Sequence, residues 1–354
     1  MARNENQRVM VITTAHWPGD PRLNRHVRYL REVGLEASIT ALQSDSRAGR
    51  LGHVLKAARL IWRERPYAVL LPDPELFIVG ALAARLKGTM AVIDIHEDYA
   101  KAARGRKWIP AWLKPATSAL ARLNTWLGTI AADTTLVAAP ELSTAKSVLV
   151  LNAPNPSDFE VTIEKGEPPT AIYIGDVTEA RGAMAMAELA SRLPGIRFLV
   201  VGRVGDDLAA RMVGTARSGN LELVGRLPHE EAWTIARGAT AGLSLLEPLP
   251  AYERAVATKL WEYCSAGIPP VVSSLPGQSD FVGRIDPDLA VDNIDEAEVL
   301  IRRLVAEPEW AKELSATARI VAEEAWAESR PDRALQAALV PRPITRKAGP
   351  SAEN

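Results

Sequence analysis

Short apolar runs rich in valine, isoleucine, leucine and alanine alternate along this chain with stretches in which apolar residues recur three and four positions apart. In the first half the runs predict strands at Val9–Thr13, Ala37–Leu42, Ala68–Leu71, Met90–Ile95, Thr134–Ala138 and Ser147–Leu151. In the second half they predict strands at Thr170–Ile174, Phe198–Val201, Leu221–Val224, Leu243–Leu246 and Pro270–Ser273. Runs apolar on both faces, separated by amphipathic helices, are the pattern of parallel sheets covered by helices. The pattern occurs twice, so the expected fold class is α/β, with two Rossmann-like doubly wound domains. A chain of 354 residues also exceeds what one hydrophobic core usually organises. Between the halves, NAPNPSDFEVTIEKGEPP has the proline-rich polar character of a linker. The expected boundaries are 1–155 for the first domain, 156–168 for the linker and 169–325 for the second. Glu307 to Leu339 reads as helical with a break near Pro331, and 341–354 lacks periodicity and is expected to be disordered.

The most informative segment is PLPAYERAVATKLWEYCSAGIPPVVSS, Pro248 to Ser274. A strand runs into a proline-broken loop, a short helix opens near Thr258, Gly267 ends it and a second strand begins at Pro270. Lys259 therefore sits in a helix's first turn. The partial positive charge of that terminus disfavours a cation by about 0.3–1 kcal/mol but attracts phosphate. Glu262, three residues on, shares its face and has the acceptor oxygens to hold sugar hydroxyls. Two readings are open at this point: an ordinary Lys259–Glu262 surface pair, and an anion site for a nucleotide.

Composition narrows the function class. Hydrophobic residues make up 47% of the chain with both charge signs interspersed, which indicates a globular protein. No run of eighteen apolar residues exists, and MARNENQRVMVITT is polar before its first strand, so a membrane span and a secretory signal are not expected and the predicted location is the cytoplasm. The single cysteine, Cys264, lies in an apolar helical stretch and reads as a core thiol, and no cysteine-based metal site is available. The net charge of −1 conceals an asymmetry: residues 1–150 carry 21 Lys and Arg against 13 Asp and Glu, a balance of +8, and the remainder balances at −9. A membrane surface or a phosphate-bearing acceptor fits the basic half better than nucleic acid, because no basic cluster is interleaved with aromatics in a known binding module.

Ligands of open parallel sheets bind beyond the carboxyl ends of the strands, and several such junctions carry chemistry. After the first strand, Asp20 suits a helix N-cap, Pro21 the first helical position and Gly34 the C-terminal cap. Leu23, Val27, Leu30 and Val33 form the expected buried stripe of that helix. Arg25 and Arg28 read as a solvated basic face, while Arg22 in the first turn repeats the anomaly of Lys259. Adjacent strands bring Asp73, Glu75, Asp94, His96, Glu97 and Asp98 to one sheet end. The Asp94/His96 spacing invites a metal reading, which is the weaker one because the tight ligand set is incomplete. In the second half Gly175 permits a tight turn, Arg181 points toward the same strand ends, and Gly202 and Gly205 allow close backbone approach. The dinucleotide pattern G-x-G-x-x-G is absent, which argues against a nicotinamide dehydrogenase.

Taken in order, PDPELFIVGALAARLKGTMAVIDIHEDY, YIGDVTEARG, VVGRVGDD, LVGRLPHEE and KLWEYCSAGIPPVVSS resemble segments of the retaining nucleotide-sugar glycosyltransferases of the GT-B fold, family 4. The resemblance runs from about Val9 to Trp326 and implies two domains facing a central cleft, with 326–340 returning to the first domain. By that resemblance Arg181 is one of two cations that bind the donor diphosphate. The other falls on Asp176, so Lys259 supplies the missing charge. Glu262 holds the ribose, main-chain groups of Gly225, Arg226 and Leu227 meet the base, Gly202 lets ribose or phosphate approach, and the loop Tyr252–Thr258 covers the sugar. His96 lies near the reacting sugar, and Asp20, Arg22, Asp73, Glu75, Asp94 and Glu97 fall on the acceptor side. The chain departs from the family pattern at Arg254, where the usual signature has its first glutamate, and at Asp176. The implied reaction is hexosyl transfer from a nucleoside diphosphate sugar to an acceptor hydroxyl, with retention and without a metal or other cofactor.

From Lys101 to Trp126 the chain holds Lys101, Arg104, Arg106, Lys107, Lys114 and Arg122 with no acidic residue, together with Trp108, Trp112 and Trp126. Trp112, Ala116, Ala119, Leu123 and Trp126 share one helical face, with Lys114, Ser118 and Thr125 opposite. Packing of the stripe on its own sheet and docking of 101–127 in a membrane interface are both open. The second implies peripheral association with the inner face of the plasma membrane, and a lipid-linked glycan acceptor in cell-envelope or exopolysaccharide assembly. Two other functions share the architecture: a non-hydrolysing sugar-nucleotide epimerase, and a non-catalytic transferase relative serving as a membrane-associated assembly partner.

Overall fold

The computed structural model describes residues 7–42, 47–106, 109–144, 147–162 and 166–340, with side chains 47–51 excepted. Lys107, Trp108 and the tail 341–354 lie outside the described residues. The first domain runs β1 (Arg8–Thr13), α1 (Pro21–Glu32), β2 (Glu36–Ala41), α2 (Arg47–Glu64), β3 (Ala68–Leu71), α3 (Phe77–Leu86), β4 (Met90–Ile95), α4 (Tyr99–Gly105), α5 (Lys114–Ala131), β5 (Thr134–Val137) and β6 (Ser147–Leu149). The second runs β7 (Thr170–Ile174), α6 (Ala183–Arg192), β8 (Arg197–Val201), α7 (Asp206–Thr215), β9 (Leu221–Gly225), α8 (His229–Ile235), β10 (Ala241–Ser244), α9 (Thr258–Ser265), β11 (Pro270–Ser273), α10 (Pro276–Val282), β12 (Ala290–Val291) and α11 (Ile294–Ala306). Two further helices, α12 (Pro308–Ser329) and α13 (Pro331–Leu339), follow.

Each half is a six-stranded sheet, ordered β2-β1-β3-β4-β5-β6 and β12-β11-β10-β7-β8-β9, and the pairings are parallel. This order matters for function. In the first sheet the chain reverses its direction of travel between β1 and β3, and in the second between β7 and β10. At such a point the loops leaving the two neighbouring strands turn to opposite faces and leave a crevice at their carboxyl ends.

The strands form where apolar runs are buried on both faces, as in Ala68–Leu71, whose four side chains are fully buried. Boundaries shift where polar groups intervene: β10 ends at Ser244 rather than Leu246, and β12, two residues long, is too short to leave a pattern. Helix α1 starts as its sequence dictates. Asp20 accepts a hydrogen bond from the Leu23 N–H at 3.1 Å, Pro21 occupies the first turn and Gly34 takes φ +84° just past the end.

The expected faces of α1 need correction. Val33 is 44% exposed, whereas Arg22 and Arg25 are buried. The helix turns that basic face to the cleft, where carboxylates from distant segments meet it. The linker also differs from a plain spacer, since Phe159 packs in the second domain's core against Trp233. At the far end, Leu335 and Leu339 of α13 are buried in the first domain's core, and Trp326 meets Tyr29 at 5.8 Å.

Helix α5 decides between the two readings of its stripe. Its buried residues are Ser118, Gly128 and Ala131, and Ser118 donates to the Ala100 carbonyl of α4 at 2.9 Å. Trp112 and Trp126 are 78% and 57% exposed, and Leu120 and Leu123 are exposed beside them. The stripe therefore faces outward. Packing on its own sheet is ruled out for these residues, because the smaller face of the helix is the one that fits against α3 and α4. Gly128 shows why: a Cβ there would stand 2.7 Å from the Phe77 Cβ. Among the described residues no helix is long and apolar enough to cross a membrane.

Candidate active site

The switch point of the second sheet gathers the predicted cations. Arg181 closes the short helical turn that follows β7, and Lys259 is the second residue of α9, which follows β10. The N-cap of α9 is Ala257, whose side chain caps nothing, so the first-turn N–H groups are left for another acceptor. The Lys259 Nζ is buried without a hydrogen-bond partner and lies 3.5 Å from the centroid of the Tyr173 ring. Burial, then the nearby Arg181, push its pKa well below the ordinary lysine value, while Glu262 and Asp176 oppose the shift. An intrahelical hydrogen bond to Glu262 does not form. Burial also works against the charge of Arg181, but Tyr173, Tyr252 and Asp176 outweigh it and hold its pKa above the ordinary range. Arg181 Nη1 donates to the Asp176 carbonyl at 3.3 Å.

Asp176, standing where the resemblance expects a cation, turns its carboxylate to Arg226 at 2.9 Å, and Arg226 in turn lies 4.8 Å from the Trp17 ring of the first domain. The glycines act through backbone packing. Gly202, at φ +156°, has no room for a side chain because a Cβ would meet the Gly175 carbonyl oxygen at 1.7 Å. Its neighbour is thus main chain rather than an open approach for a ligand. Gly175, at φ +137°, brings the end of β7 beside the Lys259 ammonium.

Glu262 is buried and shared. Its Oε1 lies 3.3 Å from Arg25 Nη1 and 3.1 Å from His229 Nε2. Arg25 also donates to Asn152 Oδ1 at 2.6 Å, and Asn152 donates to the Thr258 hydroxyl. Burial favours the neutral acid, but His229, Arg25 and Lys259 more than offset it and lower the Glu262 pKa. The solvated reading of Arg25 is therefore corrected, while Arg28 stays partly exposed and pairs with Asp158. A cavity of about 1260 Å³ opens beside this carboxylate. Trp17, Arg25 and Arg28 line it from the first domain, and Arg226, Leu227 and His229 from the second. His229 and Arg25 escape sequence reasoning, the first because LPHEE carries no spacing signal and the second because an arginine on a helix reads as solvated.

On the first domain, β1, β3 and β4 bring Asp73, Glu75, Asp94 and His96 to one sheet end, as expected. Their roles divide. Asp94 is fully buried and takes a bidentate pair from Arg22, at 2.9 and 2.6 Å, so the first-turn arginine meets a carboxylate of its own domain. Arg22 and Asp94 are thus spent on each other rather than open to an acceptor. Asp73 accepts from the Thr13 hydroxyl at 2.7 Å and the Thr14 N–H at 2.6 Å, and Glu75 from the Thr14 hydroxyl at 2.8 Å. Glu97 is exposed, and Asp98 caps α4. Asp94 and His96, the pair that suggested a metal, take different partners, and among the described residues no group of three metal-ligating side chains converges. His16, which sequence reasoning overlooked, stands between Asp20 and Asp73. Cys264 is a buried core thiol whose pKa burial raises.

Residues 181–336 match the family model described as glycosyl transferase-like. No curated protein matches in sequence. Among solved structures, sucrose-phosphate synthase from Thermosynechococcus elongatus superimposes with a TM-score of 0.71 at 13% identity, over 93% of this chain and 97% of that one. HepE from Anabaena in complex with UDP-glucose gives 0.68 at 11%, over 94% and 99%. A glycosyltransferase from Rickettsia africae gives 0.63 at 13%, over 96% and 100%. With its two parallel six-stranded sheets and this full-length superposition, the chain has the GT-B fold of the glycosyltransferases, and its residues 181–336 match the glycosyl transferase-like family.

Proposed function

We propose that this protein transfers a glycosyl group from a nucleoside diphosphate sugar to an acceptor hydroxyl, with retention, in the manner of family 4. The observation that carries the reading is Lys259: a buried ammonium without a hydrogen-bond partner, at an uncapped helix N-terminus, at the switch point, beside Arg181. A diphosphate supplies what each of these groups lacks. Glu262 and the adjoining cavity extend the site toward ribose and base, with Gly225, Arg226 and Leu227 at the base end. Tyr252, beside Arg181, places the preceding loop against the sugar. Arg181 and Lys259 stabilise the charge that develops on the departing diphosphate, the task a metal ion performs in other transferases, so no cofactor is needed. The solved relative that holds UDP-glucose makes that donor the first to test.

The test is nucleotide release from a panel of UDP- and GDP-sugars with membrane extract as acceptor, alongside the thermal shift each donor produces. Stabilisation by one nucleotide series, with release that depends on acceptor, is the expected result. Release of a free isomerised sugar nucleotide supports the epimerase reading instead, and binding without turnover supports the non-catalytic one.

The outward face of α5 makes the acceptor a lipid-linked glycan and the location a membrane surface reached from the cytoplasm. Trp112, Leu123 and Trp126 present apolar surface, Arg104 and Arg122 flank a groove beside them, and the first half of the chain is basic. Vesicles containing about one third anionic lipid are expected to co-sediment the wild type and to lose it in high salt. Leu123→Ser/Trp126→Ser is expected to remain in the supernatant with its fold intact by circular dichroism.

A further inference from the structure

Two histidines at the first domain's switch point sit in opposite hydrogen-bonding environments. His16, in the loop leaving β1, has Nδ1 3.0 Å from Asp20 Oδ2 and Nε2 3.3 Å from Asp73 Oδ1. Carboxylate oxygens accept, so both ring nitrogens donate, and a ring with two N–H groups is an imidazolium. His96, at the end of β4, has Nδ1 3.4 Å from the Tyr99 hydroxyl, and that hydroxyl lies 3.3 Å from the Pro72 carbonyl oxygen. The carbonyl only accepts. The hydroxyl's one proton therefore goes to Pro72, its oxygen accepts the Nδ1–H of His96, and Nε2 of a neutral His96 keeps its lone pair.

The two rings meet edge to face with centroids 5.1 Å apart. Burial, His16 and Arg22 disfavour a proton on His96, Asp94 and Glu97 favour one, and the balance lowers its pKa from the ordinary value. For His16, burial is opposed by Asp20, Asp73 and Asp94, which raise it. Neighbouring titratable groups pushed in opposite directions are the arrangement in which acid and base roles separate. Trp17, the next residue after His16, lies against Arg226 of the second domain, so this loop forms part of the cleft wall.

We propose that His96 Nε2 takes the proton of the acceptor hydroxyl, and that His16, fixed between Asp20 and Asp73, is the positioning residue that keeps His96 free to take it. The inference rests on the glycosyltransferase reading. In the step, the acceptor O–H bond breaks with its proton passing to Nε2, and the acceptor oxygen forms its bond to the anomeric carbon. The bond from that carbon to the diphosphate oxygen breaks, and its electron pair leaves with the diphosphate against Arg181 and Lys259. His96 then returns its proton to solvent.

The pH dependence of kcat/KM for the acceptor, at saturating donor, tests this. Wild type is expected to lose activity at low pH in a single acid limb, as His96 becomes protonated. His96→Asn removes that limb and lowers kcat about 10²–10⁴-fold. His16→Asn takes away the neighbouring cation, so His96 gains its proton more readily and the limb moves up toward about pH 6.5, while the plateau above it is largely kept. Tyr99→Phe removes the oxygen that fixes the tautomer and lowers the plateau without changing donor stabilisation. An unmoved limb in His16→Asn, or an unchanged plateau in Tyr99→Phe, overturns the proposal; the first is the result expected if the departing diphosphate takes the proton itself. Absence of donor stabilisation and turnover in wild type overturns the glycosyltransferase reading instead, which keeps the two failures apart.

Discussion

Lys259→Met lowers kcat for nucleotide-sugar turnover by about 10²–10³-fold, and Arg181→Met does so to a similar degree. The magnitude follows from where the charge sits. Lys259 is removed from water, stacked on Tyr173 and hydrogen-bonded to nothing, so its ammonium acts at full strength on a phosphate placed against it. Both cations act on the same developing charge, so the double variant is expected to lose less than the product of the two single losses. Steady-state nucleotide release at saturating donor measures the effect, and turnover within threefold of wild type in both variants rejects the assignment. Stability moves the other way. Because the folded chain holds Lys259 well below the ordinary lysine value, the unfolded chain binds more protons between the two values, and this lysine's contribution to stability rises with pH through that window. Lys259→Met is therefore expected to melt at a higher temperature than wild type near neutral pH, with the difference shrinking as pH climbs toward about 10.4. Methionine keeps the apolar stem over Tyr173 and removes the cost of burying the ammonium.

Glu262→Gln weakens nucleotide binding by about 10–100-fold, the range expected when a charged acceptor of hydroxyl groups is made neutral. The unliganded carboxylate is shared by Arg25 and His229, so ribose hydroxyls must divide it with a guanidinium from the other domain. Arg25→Met is expected to act with the opposite sign on affinity, since it removes that competitor, at a cost of about 3 kcal/mol in stability for leaving a buried carboxylate short of a partner. Calorimetric titration with the nucleotide and thermal melts of both variants provide the readout. Weaker binding in Arg25→Met would show that the arginine holds the nucleotide rather than competing with it. The acid side is also defined. Glu262 has its folded pKa lowered, so its contribution is present above the ordinary glutamate value and is lost as pH falls through the folded one, a dependence Glu262→Gln removes.

Much of the architecture is legible in the residues. Thr170–Ile174 and Pro270–Ser273 occur at the predicted positions because runs apolar on both faces, closed off by glycine or proline, have few alternatives to a covered parallel sheet. Arg181, Lys259 and Glu262 were also legible, since each follows a recognisable strand and a first-turn lysine violates a local electrostatic rule. Partners distant in sequence were not. Arg25 finds Glu262 across 237 positions, and Arg22 finds Asp94 across 72, so both look like ordinary solvated arginines until the helix is docked. His16 needed Asp20 and Asp73 together, one from its own loop and one from the next strand over in the sheet.

The chain alone therefore determined which segments are strands and helices, that they form two doubly wound units, and where an anion would be held. Those outcomes depend on short-range periodicity, capping and helix-terminus charge, all of which are local. The tertiary structure alone decided which face of α5 meets solvent, which carboxylate neutralises which arginine, and which histidine carries the proton. Each of these is set by what burial and a distant partner do to a polar group, and neither is encoded within a few residues of it.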